Sequence, residues 1–488
     1  MLSHVTTPAK KPLYEAVAER ISYLIEQGTL RPGDRVPSIR NLSKQMQVSI
    51  NTVKEAYGQL EDRQVLEARP QSGYYVRARL LDLPAEPLFN PPELKNPAEV
   101  NLNDFYQRVM RDHLDPQLLK LGISVPNCEL LPVEKLNRML ARETRRFANQ
   151  AVSYELPPGN LRLRQQIARR MLLSGCTLSP DQIVITSGCV EAVDLSLRTL
   201  CRPGDTVAIE TPFYFNFLQL IEDLGLKALE IPTSPRGGIS LEALDYALSH
   251  NADQVKACLV ISNYNNPVGS SLSTADKRRL VEMLDHYQVP LIEDDIYGDL
   301  SFSDDRPKVA KAFDCNDNVL LCSSFSKTIA PGYRVGWVAA GRYQDKIERR
   351  KMLSGVATAS PPQLAIAEFL ANGGYEHHLR SIRRRYAHQV AQMQDAIGRY
   401  FPAGTRVSRP QGGFNLWIEM ADQIDSMQLY REAKEQKISI APGPIFSLEG
   451  KYQNFIRLTA ARWNEDVDQA IATLGSLAAQ QLSKVTHI

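Results

Sequence analysis

Lys327 lies in a serine-rich, proline-terminated run, Ser324-Phe325-Ser326-Lys327-Thr328-Ile329-Ala330-Pro331-Gly332-Tyr333-Arg334. About 30 residues upstream, Asp294-Asp295-Ile296-Tyr297 ends a strand-like stretch. An amine to hold an aldehyde, an anion for a pyridine nitrogen, a donor for a phenolic oxygen and a cradle for a phosphate are what pyridoxal phosphate asks of a protein. Lys327 is the amine, because a lysine desolvated beside a cationic site loses its proton and becomes a nucleophile. Asp294 would keep the pyridine nitrogen protonated and the ring an electron sink. Tyr297 would bond the phenolic oxygen, and Asn266 of Asn265-Asn266-Pro267-Val268-Gly269 reaches the same atom. For the phosphate, Thr186-Ser187-Gly188-Cys189 follows a strand and opens a helix from Val190 to Leu200, where the amides of Ser187, Gly188 and Cys189 and the helix dipole favour an anion. Ser324 and Arg334 add donors from the lysine loop, and Tyr214 in Thr211-Pro212-Phe213-Tyr214 is placed to stack on the ring. Cys189 has the helix-start position that lowers a thiol pKa, yet reads as structural, its amide mattering more than its thiol.

Taken singly, each signal has a blander reading. A lysine among serines is a surface lysine, Asn-Pro with Gly is a turn in any fold, and a lone aromatic after proline is core packing. Their order along the chain is what discriminates. Residues from about 115 to 480 resemble fold type I pyridoxal phosphate aminotransferases, whose lysine loop reads S-x-S-K-x-x-x-P-G-x-R-x-G, matched throughout from Ser324 to Gly336. The resemblance implies Lys327 as the Schiff-base lysine and Asp294, Tyr297 and Asn266 as ring contacts. It also implies that Tyr154, in Tyr154-Glu155-Leu156-Pro157-Pro158-Gly159, is a phosphate ligand donated by a partner subunit, and that Arg457, in Phe455-Ile456-Arg457-Leu458-Thr459, grips an amino acid's α-carboxylate. A planar guanidinium suits that bidentate task.

The elements that must position these groups are legible as well. Strand-like runs at Gln182–Thr186, Thr206–Glu210, Ala257–Ser262, Pro290–Asp294 and Val319–Ser323 alternate with helical stretches, the pattern of a wound α/β sheet. From about residue 345 helical periodicity dominates, and Gly412–Ile418 and Phe455–Leu458 read as strands of a smaller α+β lobe. Arg383-Arg384-Arg385 reads as a solvated helix face.

The N-terminal stretch is of another kind. Leu13, Val17, Ile21, Leu24 and Ile25 recur at helical spacing between Pro12 and Gln27, Ser38 to Met46 reads as a second helix, and Ser49 caps a third through Val53, Tyr57 and Leu60. Only Gln47-Val48 separates the last two, the short turn of a helix-turn-helix. Val65–Ala68 and Tyr74–Arg77 flank Pro70-Gln71-Ser72-Gly73 as a hairpin wing, and Arg31-Pro32-Gly33-Asp34 reads as a turn. Residues 11–79 resemble the GntR-type winged helix in Pro32–Arg40 and Val48–Tyr57. In that geometry Ser49, Asn51 and Thr52 face base edges in the major groove, while Arg40, Lys54 and the wing around Gly73 set register on the backbone. Ile50 stands where the family commonly has arginine, and Arg63-Gln64 replaces a glycine before the wing. The first departure replaces a guanine contact with an apolar one suited to a thymine methyl.

Composition bounds the rest. A chain of 488 residues exceeds what one hydrophobic core sustains, so two domains or more are expected. The formal charge of +2 hides an asymmetry: residues 1–80 carry 12 Lys/Arg against 8 Asp/Glu, and the remainder 45 against 47. A locally basic module suits a DNA contact. Seven cysteines without a C-x-x-C pair argue against a disulfide framework or a zinc site and for a reducing cytoplasm. No apolar run approaches the roughly 18 residues needed to span a bilayer. The expected architecture is α/β: a winged helix-turn-helix at 11–79, a Pro-rich, semi-rigid linker at 80–114 and an aminotransferase-like domain at 115–483. Joined in this order, the modules resemble the MocR subfamily of GntR regulators. The resemblance implies a pyridoxal-phosphate-dependent regulator of double-stranded DNA, homodimeric, with paired half-sites and an amino acid or amine effector. The competing reading is an amino acid transaminase with an accessory DNA-binding head.

Overall fold

A computed structural model describes residues 13–26, 29, 30, 33–62, 65–69, 73–77, 83–89, 96–100, 109, 111, 112, 114–251 and 253–486. By its contacts the chain divides into two compact units, with the boundary after Leu83.

In the first unit the helices Leu13–Glu26, Ile39–Met46 and Ile50–Asp62 pack around Val17, Ile21, Val53, Tyr57 and Leu60, all within 1% exposure. Leu13, read from spacing as part of this face, is 65% exposed, because it sits at the helix start where the stripe has not yet reached the core. Gln47 takes the left-handed conformation (φ 53°) and its N–H returns to Ser43 O, which ends the second helix abruptly enough for the third to begin three residues later. The wing pairs Leu66–Arg69 antiparallel with Gly73–Val76, shifted slightly from the sequence reading. Gly33 and Asp34, expected as part of a turn, instead run with Arg35 and Val36 beside the second wing strand: Val36 N–H donates to Tyr74 O at 3.0 Å and Val76 N–H to Asp34 O at 2.8 Å. The remaining wing-turn residues 70–72, the turn residues 31–32 and the Arg63-Gln64 departure lie outside the described residues.

The second unit is built on a nine-stranded mixed sheet. Its path runs Ala98–Glu99, Lys227–Ser234, Thr206–Thr211, Val255–Val260, Leu291–Asp294, Val319–Ser324, Gly336–Ala339 and Val184–Thr186, with Gly238–Ile239 paired off Lys227–Ser234. The five strands from Lys227–Ser234 to Val319–Ser324 are mutually parallel, and the next two join antiparallel. Four of these five are almost wholly buried, as near-continuous apolar runs covered on both faces require. Two separate apolar clusters surround it, one including Val193, Ile209 and Leu320, the other Leu229, Leu244 and Leu284. The five runs read from sequence fall within two residues of observed strands; Gln182 lies instead in the short 3-10 turn Pro180–Gln182, held by the Ser179 capping box.

A four-stranded sheet, Arg406–Val407, Asn415–Glu419, Phe455–Thr459 and Ala441–Pro442, forms the smaller lobe. Gly412 and Gly413, expected in a strand, precede it; a side chain at Gly412 would enter the Tyr264 ring. Arg383 of the three-arginine run is not simply solvated, since its Nε donates to Asp299 O at 2.7 Å.

The linker expectation needs correction over its described part. Residues 84–89 are extended but docked on the body: Val407 N–H donates to Ala85 O at 2.8 Å, Arg409 Nη2 to Pro84 O at 3.1 Å and Leu88 N–H to Glu419 Oε2 at 2.8 Å. Glu86 pairs with Arg236. The cause is the free edge of the Arg406–Val407 strand, whose unpaired backbone accepts an added chain.

Candidate cofactor and effector site

The site forms where strand ends meet. Asp294 is the last residue of Leu291–Asp294, 2% exposed, and its Oδ1 accepts from Ile296 N–H at 2.9 Å and from Cys189 Sγ at 3.2 Å. Burial pushes its carboxyl up to about 7, against the lowering effect of those two donors and of Lys327. Such a carboxyl gains its charge readily when a cation comes to lie beside it. Burial and the Asp294 charge hold the Cys189 thiol well above its ordinary range, in keeping with a structural cysteine and not a lowered pKa, but the thiol itself matters, as the donor to Asp294.

Lys327 follows Val319–Ser324 by three residues, and its Nζ donates to Ser124 O at 2.6 Å while standing 5.8 Å from the Tyr297 ring centre. The Tyr297 hydroxyl lies 2.7 Å from Ser124 Oγ and accepts from Asn415 Nδ2 at 3.3 Å. Asn266 is 2% exposed, and its Oδ1 accepts from Arg457 Nη1 at 3.0 Å.

Arg457, in the middle of Phe455–Thr459, is completely buried. Its Nη2 donates to Gly122 O, and its guanidinium lies 5.3 Å from the Phe446 ring centre and 5.7 Å from that of Phe215. Among the described residues its hydrogen-bond acceptors are neutral and its Nε has no partner, and burial lowers its pKa to about 10. A buried guanidinium held only by neutral oxygens and aromatic faces is short of an anion.

At the anion cradle, Gly188 has φ +93°, and a Cβ there would run into the Arg334 guanidinium. Arg334 Nη2 donates to Ser187 O at 2.7 Å, and Ser324 Oγ accepts from Ser326 N–H at 3.3 Å. One feature escaped the sequence reading. Ser187 N–H already donates to Glu191 Oε2 at 2.5 Å, and Glu191 is held by the buried Lys351 at 2.7 and 2.9 Å. The acidic residue one turn into the helix was the available signal; its lysine, 160 positions away, gave none. Ser124, Gly122, Phe215 and Phe446 were missed too, because nothing local marks a carbonyl or ring that meets a distant side chain.

Tyr214 packs its ring against Phe215 and Phe217 at 5.1 and 5.2 Å. Tyr154 stands apart from the cluster, 80% exposed beside Val152 at 87%. In the head, Arg40, Ser49, Asn51, Lys54 and Gly73 are exposed and Thr52 partly so. Ser49 Oγ accepts from Thr52 N–H at 3.0 Å, so its side chain caps the third helix.

The residues fit pyridoxal phosphate on three points: a buried carboxyl in no ion pair among the described residues, a glycine-opened cradle at a helix start, and a lysine whose charge acts on that carboxyl. The family Aminotransferase class I and II matches residues 117–474, and Bacterial regulatory proteins, gntR family, matches residues 13–76. The chain is 41% identical to the uncharacterized HTH-type transcriptional regulator YdcR of Escherichia coli over 96% of this chain and 99% of that one. Among solved structures it is similar to kynurenine aminotransferase of Pyrococcus horikoshii, solved with PMP (TM-score 0.73, 27% identity, 79% of this chain and 96% of that one). It is also similar to LysN, the α-aminoadipate aminotransferase of Thermus thermophilus, complexed with N-(5'-phosphopyridoxyl)-L-leucine (TM-score 0.72, 26% identity, 78% and 98%).

Proposed function

This chain belongs to the aminotransferase class I and II family and carries a gntR-family head, the MocR arrangement, and from that premise we propose that it is a regulator whose DNA binding responds to pyridoxal phosphate and an amino-acid effector. The cofactor, when bound, supplies an electrophilic aldehyde carbon and an electron-withdrawing ring. The observation that carries the effector reading is Arg457: a fully buried guanidinium with neutral partners and, among the described residues, an unpaired Nε, beside Asn266. A carboxylate there exchanges neutral acceptors for a charged, bidentate one.

The chain's own residues divide the work. Lys327 must leave Ser124 O to offer its Nζ, and Tyr297, held by Ser124 and Asn415, orients a hydroxyl towards the same space. Asp294 keeps a proton or a cation at the end of its strand. Gly188, Cys189, Ser324 and Arg334 supply the anion cradle, joined by Ser187 once its N–H leaves Glu191, while Tyr214 supplies the ring face and Arg457 the carboxylate grip. Tyr154, exposed beside Val152 and with Leu353 77% exposed, supports a homodimer in which it serves the partner's phosphate. A two-fold dimer presents two heads and hence reads two half-sites.

An effector changes DNA affinity only by binding two arrangements unequally. The test measures binding to the upstream intergenic DNA with and without pyridoxal phosphate and amino acids. Wild type should respond, and Lys327→Ala should bind DNA without responding. A second reading, transamination, is supported by the same lysine, whose Nζ, once free of Ser124 O, would serve to move a substrate α-proton. Turnover of an amino donor with a keto acceptor, together with DNA binding indifferent to ligands, would replace the first reading with the second.

A further inference from the structure

Lys327 and Asp294 are each followed in the chain by a residue that faces away from the site into a dry interior: Thr328 and Asp295, 2% and 1% exposed. A single buried polar chain joins these two followers. The Tyr375 hydroxyl, from the helix Gly374–Tyr400, lies 2.9 Å from Thr328 Oγ1 and 2.7 Å from Asp299 Oδ2. The carboxylate takes the phenol's one proton, so Thr328 donates to Tyr375. Asp299 Oδ1 accepts from Arg306 Nε at 2.6 Å, and Arg306 Nη2 reaches Asp295 Oδ2. Arg170 completes the enclosure, donating to Asp299 Oδ2 at 2.8 Å and lying 4.4 Å from the Tyr375 ring centre. One turn along the same helix, His378 Nε2 lies 2.7 Å from Thr328 O.

Arg170 comes from the helix Leu161–Met171 and Asp295, Asp299 and Arg306 from the one stretch of chain that follows Leu291–Asp294, and all four side chains are largely buried. Holding such charges in a dry interior is unfavourable unless every partner is in place, which makes the set stiff. Against the effect of burial, the two arginines draw Asp299 far below the ordinary carboxylate range. The stiffness ends at Tyr375, whose hydroxyl links the charged set to the lysine loop. His378 holds the same residue only through its backbone.

We infer that Tyr375 and Thr328 are positioning residues for the cofactor: through their hydroxyl pair, the Asp299–Arg306–Asp295 chain fixes where Lys327 stands relative to Asp294. The inference rests on the reading that Lys327 takes pyridoxal phosphate. It assigns to a helix remote in sequence a part in cofactor affinity.

The test titrates full-length wild type, Tyr375→Phe, Thr328→Val, Thr328→Ser and the Tyr375→Phe/Thr328→Val pair with pyridoxal phosphate, following the lysine-dependent visible band. Melting temperatures are taken without cofactor. Phe keeps the ring against Arg170, and Val keeps the shape of Thr. Each of these single variants should raise the half-saturating concentration about tenfold, the effect of one lost hydrogen bond of this kind. The pair should be no worse than the worse single, because both remove the same bond. Thr328→Ser, which keeps the hydroxyl, should stay within about twofold of wild type. Unchanged half-saturation with a lowered melting temperature would assign the chain to fold stability alone and overturn the inference. Multiplying effects in the pair would overturn it too. A wild type without a band, or a band retained in Lys327→Ala, would overturn the premise itself, which keeps the two failures apart.

Discussion

Replacing Arg457 by Gln separates a ligand-holding arginine from a structural one. Burial lowers the guanidinium to about 10 from its ordinary range, which corresponds to roughly 3 kcal/mol disfavouring its charge. Against this stand two charge-assisted hydrogen bonds, to Asn266 Oδ1 and Gly122 O, worth about 1.5–3 kcal/mol each. The two sums nearly cancel, so Arg457→Gln, which keeps one donor group, should change folding stability by less than about 2 kcal/mol. The effector should feel the change far more. A carboxylate loses a bidentate pair of similar size with no burial penalty returned, so the preference for an amino acid over the same amine without its carboxylate should fall at least about a hundredfold. The assay is a pair of binding isotherms on the cofactor-loaded protein, one for each ligand, beside chemical denaturation of both proteins. Unchanged preference with a stability loss above about 4 kcal/mol would show that Arg457 props up Asn266 and holds no ligand.

Three further outcomes follow from the geometry. Glu210 is fully buried, with Oε2 accepting from Ile261 N–H and Asn265 Nδ2 at 2.8 Å each, and burial raises it from 4.5 to about 8. Its folded state therefore holds a proton that the unfolded chain releases earlier: its stabilising contribution is full below 4.5 and lost as pH rises through 8. The stability difference between wild type and Glu210→Gln should move in favour of the variant across that window, and a difference flat with pH would contradict this. In the head, Ser49→Ala removes the cap on the third helix and should cost about 1 kcal/mol of its unfolding free energy, read by chemical denaturation. Lys54→Ala should weaken binding to all DNA sequences alike and reduce the slope of log affinity against log salt by about 1, as one phosphate contact does; an unchanged slope would remove Lys54 from the interface.

What was readable in the sequence was what lies close together along it. The lysine loop is contiguous, and its serine, proline and glycine spacing carries its own signature. The central parallel strands are buried on both faces and so are largely apolar runs. Lys227–Ser234, also in the sheet, was missed because Lys227, Glu230 and Pro232 interrupt the pattern next to the edge. The Glu191–Lys351 lock, the aromatic walls of Arg457 and the Thr328–Tyr375 link join residues far apart, where no local pattern exists. The docking of residues 84–89 was hidden for a different reason. Its prolines do enforce an extended chain, but only the free edge of Arg406–Val407 decides whether that chain hangs loose or pairs.

The most direct measurement is the absorption spectrum of wild type and Lys327→Ala titrated with pyridoxal phosphate, with binding to the upstream intergenic DNA followed in the same samples. A visible band that saturates in wild type, is missing in Lys327→Ala, and rises in step with a change in DNA affinity is the predicted result. A band equal in both proteins, or DNA affinity indifferent to a saturated site, would contradict the account.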